Sequence, residues 1–194
     1  MTPTPRRSQR SYLVAIWTLT ALALLIPMDA EATVMRYADL ERLVEISDVI
    51  VHGTVADTDT YLDDGAPWTA TTVDITHAFV GDVGEQITFE QWGGEADGKR
   101  GRIPGDPRLK PDQEVVVFLR HDHQRQSFAL SGFGQAVYFI RQEGELRFAQ
   151  RDLSELSFVV RDETGSRVIH HGDPPRQWSV FVDILEGLLG SEER

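Results

Sequence analysis

The chain has 194 residues, with 31 Asp and Glu against 19 Lys and Arg, a formal net charge of −12 and no cysteine. That balance argues against nucleic acid and anionic membrane surfaces as partners, because Lys and Arg supply most of the attraction to both. Without cysteine there is no disulfide, no thiolate nucleophile, no Cys-ligated metal and no lipid-modified cysteine, so the domain must fold on its core alone.

The first 32 residues have the layout of a secretory signal. Arg6, Arg7 and Arg10 precede an uncharged run from Ser11 to Met28, and Ala30-Glu31-Ala32 offers a small-residue cleavage site. The apolar part, Leu13 to Ile26, is short for a bilayer-spanning helix, which needs about 20 apolar residues. Cleavage after Ala32 is therefore favoured over a retained anchor. The protein is then expected in the periplasm or outside the cell, with no membrane contact once the signal is gone. The rest, residues 33–194, is the size of a single domain.

In chain order, the spacing of Tyr37, Leu40, Leu43 and Val44 predicts a helix from Arg36 to Ile46. Val49 to Val55 reads as a strand, with Gly53 marking a bulge or bend. Asp57 to Pro67 reads as a polar turn. Trp68 to Phe79 and Gln86 to Trp92 complete a three-stranded meander. From Gly93 to Pro111 there are too many Gly and Pro for regular structure, and a loop this long is often functional. Glu114 to Arg120 is apolar on both faces, which predicts the most buried strand. Phe128 to Leu130, Ala136 to Arg141 and Leu146 to Gln150 follow, the last two as a hairpin turning at Gly144. Residues 174–189 form the clearest helix, with Asp173 as N-cap, Pro174 and Pro175 in the first turn, and Trp178, Phe181, Val182, Leu185, Leu188 and Leu189 on one face. Such a face usually covers its own domain.

Several residues have side chains suited to chemistry. Alternation along an extended segment puts the imidazoles of His121 and His123 on one side, as a Zn or Cu site needs, but two ligands are too few. His170-His171 is weaker, because neighbours on a strand point to opposite faces. Asp57, Asp59, Asp63 and Asp64 resemble a calcium loop only in charge, since Tyr61 and Leu62 break the EF-hand pattern. No G-x-S-x-G, H-E-x-x-H, Walker or dinucleotide motif is present, so no enzyme and no cofactor is expected. Ser131 to Gln135, with two glycines, reads as a bulge between strands.

Four segments carry a resemblance: Ser47-Asp48-Val49-Ile50-Val51-His52-Gly53-Thr54-Val55, then His77-Ala78-Phe79-Val80-Gly81, then Gln86-Ile87-Thr88-Phe89, then Pro111-Asp112-Gln113-Glu114-Val115-Val116-Val117-Phe118-Leu119. Their order resembles uncharacterised secreted bacterial proteins that open with a leader helix and an S-D-x-I-V-x-G-x-V strand. More distantly it is similar to the netrin-like, OB-fold domains of the tissue inhibitors of metalloproteinases. The similarity covers residues 37 to 141. Those inhibitors place an N-terminal cysteine on the protease zinc, and this chain has none, so no functional residue carries over. What the resemblance implies is a partly closed five-stranded β barrel; with the strands and helices read above, the expected fold is mainly β (α+β), a partly closed OB-like barrel of five to seven strands with an amphipathic helix at each end.

The function expected on these grounds is a binding domain for a protein partner that uses the 93–111 and 57–67 loops, with Trp68, Trp92, Gly93 and Gly94 at the contact surface. Two alternatives are an inhibitor or partner of a secreted metalloprotease, and an envelope component that assembles through the C-terminal helix.

Overall fold

The computed structural model describes residues 33–162, 165–169 and 172–192, all within one compact unit, Ala32–Arg194. The expected signal at residues 1–32 and the His170-His171 pair lie outside the described residues. None of the described helices is long and apolar enough to cross a membrane.

The protein is mainly β. Its strands are β1 (Thr33–Met35), β2 (Val49–Asp63), β3 (Ala66–Val80), β4 (Gln86–Trp92), β5 (Gly94–Ala96), β6 (Lys99–Gly101), β7 (Glu114–Asp122), β8 (Ser127–Gly134), β9 (Val137–Glu143), β10 (Leu146–Gln150), β11 (Leu156–Asp162), β12 (Gly165–Ile169) and β13 (Arg176–Gln177). Two helices, α1 (Leu40–Glu45) and α2 (Trp178–Glu192), accompany them.

Five strands close a ring. β2 pairs with β3, β3 with β4 and β7 with β2, all antiparallel. β8 pairs antiparallel with β7 and meets β4 in parallel at Phe89 and Phe128. β9, β10 and β13 extend the sheet beyond β7, and β1, β11 and β12 form a second small sheet. The expected meander and the β9–β10 hairpin are both present, with Gly144 at φ 63° in its turn. A register shift falls beside Gly53, where the sequence suggested a bend.

β7 lies between neighbours on both sides, and Val115, Val116, Val117, Phe118 and Leu119 are all fully buried. Val116 shares a face with its ladder partners His52 and Tyr138. α2 covers that face: Phe181 packs on Tyr138 with centroids 4.7 Å apart, and Trp178 packs on His52 at 4.7 Å. Phe181 and Leu185 of α2 are thus buried in the domain's own core, with Trp178, Leu188 and Leu189 packed against it.

Three element boundaries differ from the sequence reading. α1 is shorter than Arg36 to Ile46 because extended Asp39 caps it, its carboxylate accepting from the Arg42 N–H at 2.8 Å. α2 begins at Trp178, not at 174. Asp173 is no N-cap, because the buried Arg151 guanidinium takes its carboxylate at 2.7 Å, and residues 176–177 first pair with β10. The Asp57 to Pro67 stretch is strand nearly throughout, with its turn confined to Asp64-Gly65.

Candidate functional site

The long β2–β3 hairpin and β4 share an inner face whose chemistry changes along its length. Val55, Val73 and Ile87 lie abreast near one end. The next rungs are Thr58, Thr71 and Phe89, then Thr60, Thr69 and Gln91. Beyond the point where apolar side chains give way to threonines, the sheet no longer supplies its own core. A different segment covers it.

That cover is the Gly93 to Pro111 segment, which the sequence marked as an irregular loop. It contains the β5–β6 hairpin and then an extended run. Gly94 must be glycine: a Cβ there would stand 2.5 Å from Thr60 Cγ2 and 2.6 Å from Thr69 Oγ1. The Thr69 hydroxyl donates to the Gly93 carbonyl at 2.8 Å and so fixes the start of the cover. Further on, residues 102–109 rest on the end of β8, where a Cβ on Gly134 would lie 1.8 Å from the Gly105 carbonyl oxygen. Glycine at 134 permits this approach, and Gly105, at φ 85°, leaves the room that a Cβ would take from Leu156.

Between sheet and cover lies a cleft of about 660 Å³. Thr58, Thr60, Thr69, Thr71 and Gln91 form its sheet side, Trp92, Gly93 and Gly94 its rim, and Arg100 to Leu109 much of its cover. Trp92 is 37% exposed. A second cleft, of about 700 Å³, lies on the far side of residues 102–110, towards Arg141 and Asp152.

Two polar atoms of the first cleft's lining are buried without a hydrogen-bond partner: Thr71 Oγ1 and Asp106 Oδ1. Among the described residues the only other is Tyr138 Oη. Buried polar groups are nearly always paired, and an unpaired one costs about 1–3 kcal/mol. Burial pushes the Asp106 carboxyl up to about 6, against the opposing pull of the Gly134 N–H and the Gln91 side chain. A carboxyl held so far from its ordinary value in a cleft is a mark of functional sites.

The outer face of the same strands is closed by its own contacts. Arg125 lies 3.7 Å over the Trp68 ring and donates to Glu90 at 2.8 Å and to Asp63 at 2.7 Å. Tyr61 and Ser127 also donate to Glu90. Burial raises the Glu90 carboxyl, but these three donors outweigh it and hold the group below its ordinary value.

The structure therefore separates the residues singled out from sequence. Trp92, Gly93 and Gly94 meet at the cleft, whereas Trp68, although paired with Trp92 across the strands, is covered by Arg125. His121 and His123 do come together, Nδ1 to Nδ1 at 3.1 Å. Asp57 and Asp59 are exposed positions within β2, and Asp63 is held by Arg125. Among the described residues no three His, Asp or Glu side chains are grouped to hold a metal. The threonine rungs and Asp106 escaped the sequence reading, although Thr58/Thr60 and Thr69/Thr71 do alternate on either side of the Asp64-Gly65 turn.

No known protein family, curated protein or solved structure matches the chain.

Proposed function

We propose that the protein is an exported binding domain built on an OB-type barrel, and that it takes its ligand or partner in the cleft between the threonine rungs of β2–β3 and residues 93–109. The ring order and the parallel β4–β8 contact support the barrel type, because an OB-fold is a five-stranded, partly open Greek-key barrel that binds ligands at strand faces and loops. The layout of residues 1–32 supports export.

The observation that carries the binding reading is the coincidence, in one cleft, of two unpartnered buried polar atoms with an exposed tryptophan. A wall made only for stability would pair such atoms or replace them with apolar ones. The cleft's volume is also in the range of ligand sites, about 300–1,000 Å³.

The test compares the protein with a Thr58→Trp variant that fills the cleft. Each is exposed to the exported fraction of its own cells, recovered, and analysed by native mass spectrometry for retained molecules. The unaltered protein should retain a ligand or partner that Thr58→Trp loses. Identical retention by both, including retention of nothing, would show that the cleft is not the contact site.

A further inference from the structure

The cleft's lining holds Arg100, Arg102 and Arg108 against Glu95 and Asp106, and Arg102 finds its partner just outside the lining, so the charges nearly balance in a chain whose net charge is −12. Arg100 pairs with Glu95 at 2.9 Å, and Arg102 pairs with Glu155. Arg108 and Asp106 bring one further charge of each sign to the lining. An anionic ligand would meet Asp106 and Glu95, and a cationic one would meet three arginines. An apolar ligand would strip water from threonines and Gln91 with nothing in exchange. The lining thus suits an uncharged molecule rich in hydrogen-bonding groups.

Trp92 narrows the class. Its partly exposed indole stands at the rim, with its far edge against Gly101, where a Cβ would lie 3.0 Å from Trp92 Cη2. A sugar ring has one face of C–H bonds, which packs on an aromatic face, and an equator of hydroxyls that both donate and accept. Amphipathic aromatics serve such half-wet contacts. Gln91 presents the complementary groups, and its side chain lies beside the Asp106 carboxyl, whose charged form it favours. An amide has two donors and two acceptor lone pairs, so groups remain for a ligand. Asp106 acts here through Gln91 and is a positioning residue.

We infer that the cleft binds a neutral oligosaccharide, with one sugar ring against Trp92 and its hydroxyls on Thr58, Gln91 and Arg108. This rests on the reading of the cleft as the binding site.

The test titrates the full chain with a panel of neutral oligosaccharides spanning glucose, galactose, mannose, xylose and N-acetylglucosamine, with a galacturonic acid trimer as the charged control. Binding is read by calorimetry and by the NMR signal of the Trp92 indole N–H. At least one neutral member should bind and shift that signal. Trp92→Ala should weaken it roughly tenfold or more, and Trp92→Phe should keep most of the affinity. Asp106→Ala should weaken binding by roughly tenfold, and Asp106→Asn, which still offers Gln91 an acceptor, should restore most of it. Melting temperatures of the variants separate lost binding from lost folding. If only the charged trimer binds, the inference of a neutral ligand is wrong. If no sugar moves the Trp92 signal while Thr58→Trp still loses a retained molecule of another class, the sugar is wrong and the cleft stands. If neither experiment shows a difference, both fail.

Discussion

Two ends of one hairpin do different work with nearly the same side-chain shape. At one end the inner face carries the Val55–Val73 pair, and at the other the Thr58–Thr71 pair, each threonine differing from valine by a hydroxyl in place of a methyl. Val55 and Val73 vanish into the apolar core. Thr71 is equally buried, yet its hydroxyl has no partner. The contrast shows that burial alone does not say what a position is for: the valine end maximises packing, whereas the threonine end keeps polar groups at some cost to stability.

The largest effect belongs to the apolar end, where Ile87→Ala should cost about 2–5 kcal/mol in a urea titration, since removing a buried side chain beside Val73 leaves a cavity. A loss under about 1 kcal/mol would mean that this end is not the core.

Asp106 comes next, with the opposite sign. Its carboxyl has a folded-state pKa of about 6 against an ordinary 3.8, so the folded protein holds the proton more tightly than the unfolded chain. Stability therefore falls as pH rises from about 4 to about 6 and stays lowered above that. Asp106→Asn should flatten this part of the profile and raise stability at pH 7 by about 3 kcal/mol at most. An unchanged slope between pH 4 and 6 would place the carboxyl in water.

Val73→Thr should cost about 1–3 kcal/mol, because it puts an unpaired hydroxyl into the apolar end. A neutral result would erase the distinction between the two ends. The smallest change is expected on the outer face: Asp57→Ala and Asp59→Ala, both at exposed positions, should shift stability by no more than about 0.5 kcal/mol and leave ligand retention as it was. Loss of retention in either would move the contact surface away from the cleft.

The apolar end was legible in the sequence and the polar end was not, for the same physical reason. Hydrophobic periodicity reports burial against a core, and it located the fully buried β7 and the limits of β4 and β10. Asp57-Thr58-Asp59-Thr60 alternates just as regularly, but with threonine where a core strand has valine, and so it reads as a turn. β11 and β12 went unread, and β1 joins β11 through a pairing more than a hundred residues distant in sequence, which no local pattern reports. Trp92, Gly93 and Gly94, which line the cleft, stand out in the sequence because a tryptophan beside a glycine-rich segment is a local signal. Asp106 was not, because its burial depends on a close approach between Gly105 and Gly134 that only the tertiary structure creates.

Thr71→Val tests the contrast most directly, because it converts a rung of the polar end into the chemistry of the apolar end with almost no change of shape. Ligand retention from the exported fraction should be measured on this variant beside its unfolding midpoint. The expected result is a protein more stable by about 1 kcal/mol that retains less of its ligand. A variant that is less stable, or one that retains its ligand in full, would contradict the assignment of the threonine end to binding.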